Sequence, residues 1–180
     1  LRSKEWYVNN KIDLKLNTNI KFINHKNKSL SDEKDNLYYY DKLVIATGSK
    51  NNLLGIDTKE YQKGKFFSLR NLEDSKRIRK KISEIQTITI IGAGFIGLEI
   101  ATTALQLNKD VTIIENSENV MGRSISKDLS KWLIDYYIKS GIKFIFNKSF
   151  KSFKSDENSK INVILSDERW KICIDEERNL

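Results

Sequence analysis

The sequence predicts an α/β fold in which a parallel βαβαβ sheet is followed by a short antiparallel β-meander. Apolar β-branched runs alternate with helical segments between residues 87 and 146, which is the order of a parallel unit with crossover helices. A glycine-rich turn stands directly between the first of these strands and the first helix. Three short apolar runs with the spacing of antiparallel strands then follow, at residues 150–153, 161–165 and 170–174.

The first fifty residues predict a separate unit of strands and turns. Apolar and polar residues alternate over 12–23, which favours a hairpin or meander. Residues 32–36 form a polar cluster that predicts a turn. Residues 37–46 are nearly continuously apolar and aromatic, and they predict a buried strand that ends at Gly48.

A connection and a helix are expected between this unit and the parallel sheet. Residues 49–67 show little periodicity, whereas residues 72–85 predict a helix. Asn71 stands at its cap position, with acidic residues in the first turn and Lys and Arg in the later turns, which matches the helix dipole. The expected domains are therefore 1–50, 51–85 and 86–180.

The second half predicts the parallel sheet element by element. Strands are expected at residues 87–91, 111–114 and 142–146. Helices are expected between them, at residues 95–107 and 127–139.

Composition limits the classes of function. The 180 residues carry a formal net charge of +8, but the lysines are scattered among acidic and polar residues and predict no nucleic-acid surface. No apolar run approaches the roughly 20 residues of a membrane helix. Cys173 is the only cysteine, so these residues can form neither an internal disulfide nor a thiolate metal cluster. A reducing, cytoplasmic location is expected.

The strongest motif is the run Gly-Ala-Gly-Phe-Ile-Gly after the first parallel strand, the Rossmann-like pattern of dinucleotide sites. Gly92 permits the tight turn, Gly94 leaves space for a pyrophosphate, and Gly97 allows close packing of helix on sheet. Backbone amides at the start of the helix, including those of Phe95 and Ile96, can then bind the phosphates. The alternative is a glycine turn that serves packing alone.

Glu115, at the end of the second parallel strand, predicts a preference for NADH. A carboxylate in this position can accept both hydroxyls of the adenosine ribose, and its charge repels a 2′-phosphate. Asn116 and Ser117 supply no guanidinium that would neutralise such a phosphate. NADH is therefore expected to bind in preference to NADPH.

Four sequence blocks in a specific order resemble the pyridine-nucleotide flavoprotein reductases, and among them the ferredoxin and rubredoxin reductases. The blocks are residues 1–2, 40–48, 69–74 and 92–101, and the resemblance covers nearly all of residues 1–166. It implies an FAD-dependent oxidoreductase that passes a hydride from NADH to FAD and electrons on to a carrier such as ferredoxin or rubredoxin. The first fifty residues would then be part of the FAD-binding domain.

The resemblance also implies cofactor contacts at single residues. Glu99 is expected near the nicotinamide and flavin rings, and Arg123 near the adenosine end of the nicotinamide cofactor. Contacts to FAD are expected from Ile20, Ala46, Thr47, Gly48 and Arg70. No side chain in this sequence is expected to act as a catalytic acid, base or nucleophile.

Two alternatives remain open at this point. The family's own glycine fingerprint for FAD, a second flavin-contacting segment and an interface domain are not found in these residues. Residues 167–180 also depart from the family pattern. A disulfide reductase or NADH oxidase of the same superfamily is one alternative, and a dinucleotide-binding fragment without catalytic activity is the other.

Overall fold

The computed structural model describes residues 2–155, 161–166 and 171–174. They group into two compact units, Leu1–Ser49 and Lys50–Leu180.

The first unit is a small antiparallel sheet preceded by a short helix. Helix α1 starts after Ser3, whose side chain accepts a hydrogen bond from the amide of Trp6. The three strands pair in the order β1-β2-β3, and the turn after β2 is the one expected from the polar cluster. The elements are α1 Lys4–Asn9, β1 Ile20–Asn24, β2 Ser29–Asp32 and β3 Leu37–Tyr39.

Two strand predictions in this unit are wrong. Residues 12–16 form no strand and are exposed, so the expected hairpin begins only at β1. The long strand predicted over 37–46 ends at Tyr39, and Val44 and Ile45 are 85% and 66% exposed. The amide of Tyr40 still donates to the carbonyl of Lys28, but no described strand of this unit pairs with residues 41–48, so their backbone has no ladder that would hold an extended strand.

The turn after β2 is organised by Asp32, which is buried. Its Oδ1 accepts hydrogen bonds of 2.9 Å from the amides of Lys34 and Asn36. Its Oδ2 accepts bonds of 2.9 Å from the Asn36 side chain and from the Tyr38 hydroxyl. These donors, the Asn36 side chain foremost, lower the pKa of Asp32 from 3.8 to about 2.

The second unit contains the parallel sheet and the meander. The predicted helices and strands are confirmed, with ends that differ by up to two residues. Short helix α2 lies in the segment that was expected to be an irregular connection, so that expectation is wrong there. The elements are α2 Thr58–Gln62, α3 Leu72–Glu84, β4 Thr87–Ile91, α4 Phe95–Gln106, β5 Asp110–Ile114, α5 Lys127–Lys139, β6 Lys143–Ile145, β7 Phe150–Ser155, β8 Ile161–Leu165 and β9 Lys171–Ile174.

The sheets confirm the predicted α/β fold class. Strands β4, β5 and β6 are parallel and adjacent in that order, whereas β7, β8 and β9 form an antiparallel meander. Strand β4 is an edge, because no described strand pairs with its other side. Ala101 and Ala104 of α4 are fully buried in one core cluster with Val111 and Ile113 of β5. These small alanines allow α4 to approach the sheet closely.

Helix α3 begins as the sequence predicts. The Asn71 side chain accepts a 2.9 Å hydrogen bond from the amide of Asp74, and the Asp74 carboxylate accepts one of 3.2 Å from the amide of Asn71. This reciprocal capping box satisfies amides that would otherwise lack partners at the helix start. Asp74 also accepts a 2.9 Å bond from the amide of Arg70, which fixes the backbone just before the helix.

Candidate dinucleotide-binding site

The glycine turn lies where β4 passes into α4, as the sequence predicts. Gly92 follows the last residue of β4 and has a φ of +100°, a value that side-chain-bearing residues rarely adopt. Its amide donates a 2.8 Å hydrogen bond to the carbonyl of Ile114 on β5. The turn is therefore anchored to the neighbouring strand.

Gly97 is required by packing within the turn. A Cβ added at this position would overlap the carbonyl oxygen of Gly92 and come within 3.3 Å of a side-chain carbon of Ile90. Because the first of these atoms is backbone, the clash could be relieved only by a shift of the turn or the helix. The glycine thus allows the first turn of α4 to lie against the end of β4.

Gly94 has the opposite surroundings. A Cβ added there would meet no atom within 4 Å, and the backbone is extended, with φ −82° and ψ −175°. Gly94 is the N-cap of α4, and no side chain caps this helix end. The first amides of α4 therefore lie beside Gly94, which has no side chain to fill the space in front of them. This arrangement suits an anionic phosphate.

Glu115 turns towards this helix end from the adjacent strand. Its Oε2 accepts a 2.7 Å hydrogen bond from the amide of Ala93, in the middle of the glycine turn. Its Oε1 accepts bonds from the amide and the hydroxyl of Ser117, at 3.0 and 3.1 Å. The carboxylate is half-buried, and its contact with a ribose stays a prediction.

A second bond joins the same two loops. The amide of Met121 donates to the carbonyl of Ala93 at 2.9 Å, so the segment after β5 runs beside the glycine turn. Arg123 lies in this segment and is exposed. On α4, Phe95 and Ile96 are 60% and 52% exposed, and Glu99 is exposed one turn further on.

Beside the glycine turn runs an apolar groove of about 600 Å³. It follows β4 and is bordered by α3, α4 and the meander strand β8, and all three glycines of the motif contribute to its lining. Thr89, which also lines it, has a buried hydroxyl oxygen without a hydrogen-bond partner among the described residues. Apolar side chains that line it include Ile82, Ile88, Ile90, Ile100 and Val163.

The residues expected to contact FAD are divided between the two units. Ile20 is the first residue of β1 and is 45% exposed. Ala46 and Thr47 are exposed and outside any strand, and Gly48 has a φ of +74°. Arg70 belongs to the second unit, where it precedes the cap of α3. Their contacts to FAD stay predictions.

Three contributors to the site were missed in the sequence. They are the Ala93 amide and the Ser117 hydroxyl, which hold the acid, and the Met121 amide, which holds the turn. A serine two positions after an acid is a recognised source of local side-chain to backbone bonds, so Ser117 could have been noticed. The two backbone amides carry no sequence signal.

The described residues hold no group of three or more His, Cys, Asp or Glu side chains that could bind a metal ion. No helix in the described part of the chain is both long and apolar enough to cross a membrane.

Comparison with known proteins agrees with this geometry. The family model described as pyridine nucleotide-disulphide oxidoreductase matches residues 4–174. The chain belongs to this family. Two curated relatives are rubredoxin-NAD(+) reductases: that of Pseudomonas putida is 31% identical over 175 residues, covering 97% of this chain and 45% of the relative. That of Ectopseudomonas oleovorans is 34% identical over 154 residues, covering 86% and 40%.

A solved structure shows the same relationship in three dimensions. The ferredoxin reductase from Rhodopseudomonas palustris superimposes with a TM-score of 0.82 at 25% identity, over 97% of this chain and 42% of that protein. The chain therefore spans less than half the length of each of these three relatives. The predicted resemblance to ferredoxin and rubredoxin reductases is confirmed.

Proposed function

We propose that this chain supplies the NADH-binding part of an FAD-dependent oxidoreductase that reduces a small electron-carrier protein. The observation that carries the proposal is the bond between the Ala93 amide and Glu115. This bond brings the acid that we propose to bind the ribose beside an uncapped helix start. A phosphate and a ribose hydroxyl are adjacent groups of one nucleotide, and these two protein features match them.

The acid accounts for the choice of nicotinamide cofactor. A carboxylate can accept hydrogen bonds from the 2′- and 3′-hydroxyls of NADH, whereas a 2′-phosphate would bring like charges together. Arg123 is the cation that the family resemblance implies near the adenosine end. It lies in the segment that the Met121 amide ties to the glycine turn.

The residues present fit the nicotinamide dinucleotide, and each has a defined task. The α4 amides bind the pyrophosphate, Gly94 keeps its approach open, and Glu115 orients the adenosine ribose. Glu99, further along α4, is the residue that we propose to lie near the nicotinamide ring, as the family resemblance implies. When bound, the nicotinamide supplies a hydride to FAD, and the protein contributes orientation.

FAD is part of the proposal because the family and its ferredoxin reductases depend on FAD and NAD(H). Ile20, Ala46, Thr47 and Gly48 in the first unit and Arg70 in the second are the residues proposed to contact it. The high exposure of Val44 and Ile45 beside this segment is consistent with a surface that another part of a flavin domain covers.

The electron acceptor is proposed from the relatives. Both curated relatives are reductases of rubredoxin, and the solved relative is a ferredoxin reductase. A rubredoxin or ferredoxin is therefore the proposed acceptor. The cytoplasmic location stays a prediction.

The proposal is tested by titrating the purified chain with NADH and with NADPH, following NADH fluorescence. We expect NADH to bind several-fold more tightly than NADPH. Gly94→Val should abolish binding with an unchanged circular dichroism spectrum and melting temperature, because the protein has free space at this position. Equal affinity for NADPH, or full NADH affinity in Gly94→Val, would contradict the proposal.

A further inference from the structure

The hydroxyl of Ser117 lies between two acceptors. Its Oγ is 3.1 Å from Glu115 Oε1 and 2.8 Å from the carbonyl oxygen of Asn119. A serine hydroxyl has a single hydrogen and can donate to one acceptor at a time. The amide of the same residue donates separately to Oε1, at 3.0 Å.

The choice of acceptor by the Ser117 hydroxyl decides how many acceptor positions of Glu115 are available to a ligand. The carboxylate has about four acceptor positions, and Ala93 N, Ser117 N and Ser117 Oγ can occupy three of them. A ribose with two free hydroxyls needs two positions. If the Ser117 hydroxyl rotates and donates to Asn119 O instead of Glu115, a second acceptor position on the carboxylate becomes available for the ribose. The hydroxyl still has a hydrogen-bond partner.

We propose that Ser117 is a positioning residue that holds Glu115 ready for the ribose and releases one acceptor position when the ribose binds. The proposal rests on the proposed NADH site. Without the hydroxyl, the acid would be held on its Oε1 side by one amide only. NADH would then have to order the Glu115 side chain when it binds, and this would lower its affinity.

Loss of the Ser117 hydroxyl should also change the preference for NADH over NADPH. A less restrained Glu115 can move away from a 2′-phosphate, so the affinity for NADPH should fall less than that for NADH. A merely structural role of Ser117 in its loop would lower both affinities equally. The ratio of the two dissociation constants therefore separates the two explanations.

The test uses the full chain, after NADH binding by the unmodified protein has been established. Ser117→Ala should weaken NADH binding about two- to ten-fold, the range expected for ordering one side chain. It should also lower the NADH preference over NADPH. Ser117→Thr, which keeps the hydroxyl, should retain affinity within about two-fold of the original by the same reasoning.

Two further variants complete the test. In the Glu115→Ala background, Ser117→Ala should cause no additional loss, because a residue that acts through the acid has no effect once the acid is gone. Ser140→Ala removes a similar exposed bond, from hydroxyl to the Tyr136 carbonyl at the end of α5, and should leave binding unchanged.

The outcomes are distinguishable. The positioning role would be overturned if Ser117→Ala lowered NADH affinity by the same factor with and without Glu115. It would also be overturned if Ser117→Ala left the ratio of the NADH and NADPH affinities unchanged. Either result would leave the proposed NADH site intact. Absence of NADH binding by the unmodified chain would instead refute the proposed function, and the role of Ser117 with it.

Discussion

The amide of Ala93 donates a 2.7 Å hydrogen bond to the carboxylate of Glu115. This bond connects the loop after β4 with the loop after β5. Bonds to ionised acceptors are stronger than those between neutral groups, so the acid also stabilises the turn that it faces. Glu115 consequently has two separable effects, one on the backbone and one on the ligand.

Replacement of Glu115 by Gln should reduce the preference for NADH. The variant keeps the size and an acceptor oxygen but loses the charge that opposes a 2′-phosphate. We expect the ratio of the NADPH and NADH dissociation constants to fall by about five-fold, as one surface charge interaction of about 1 kcal/mol would give. Fluorescence titration measures both constants. Glu118→Gln, an exposed acid in the same loop, is the control, and an equal change there would contradict the role of Glu115.

Gly97→Ala should destabilise the second unit. The added Cβ would overlap the Gly92 carbonyl, and a forced backbone shift of this kind costs about 1–3 kcal/mol. Urea unfolding followed by circular dichroism measures the loss. Gly94→Ala is the matched control, because its Cβ meets nothing within 4 Å and its stability should change little. Equal stability of the two variants would show that the packing role of Gly97 is wrong.

The stability of the first unit should depend on pH through Asp32. Its hydrogen bonds, first that of the Asn36 side chain, lower the folded pKa from 3.8 to about 2. The stabilisation is therefore fully present above about pH 4 and is lost as the pH falls through about 2. In urea titrations between pH 6 and pH 2, Asp32→Asn should be less stable at pH 6 and should show a smaller loss on acidification.

The control for Asp32 is Asp35→Asn, which changes an exposed acid in the same turn. Its stability should follow that of the unmodified chain over the whole pH range. A parallel pH dependence in Asp32→Asn and the unmodified protein would mean that other carboxylates cause the acid sensitivity.

Asn71→Ala should destabilise α3 by about 1 kcal/mol, because it removes the side-chain acceptor of the capping box. Thermal or urea unfolding measures the effect. Lys76→Ala is a suitable comparison, since it breaks an exposed ion pair with Glu73 and should cost at most a few tenths of a kcal/mol. If both variants lose the same stability, the cap contributes nothing specific.

Local signals made the second half of the chain predictable. Strand β4, the glycine turn and α4 follow one another without a gap, and each has its own pattern of β-branched residues, glycines or helical periodicity. Asn71 and Asp74 are likewise a cap signal contained within four positions. These features depend on neighbouring residues and need no knowledge of the tertiary structure.

The failures have a different origin. Residues 40–48 are apolar enough for a strand, but a strand also requires a partner, and none of the described strands of the first unit pairs with them. The contact between Ala93 and Glu115 was not predictable in detail, because the backbone amide has no signature in the sequence. Glu115 itself was predictable, because it directly follows the parallel strand that lies beside β4 and the glycine turn.

The free edge of β4 affects how the 180-residue chain will behave in solution. Its five residues, Thr-Ile-Thr-Ile-Ile, are uncharged and strongly β-forming, and among the described strands only β5 is hydrogen-bonded to it, so one of its two edges is not paired. Such an edge is a template for pairing between molecules. Concentrated preparations should therefore aggregate through intermolecular β-sheet unless a companion polypeptide covers this strand.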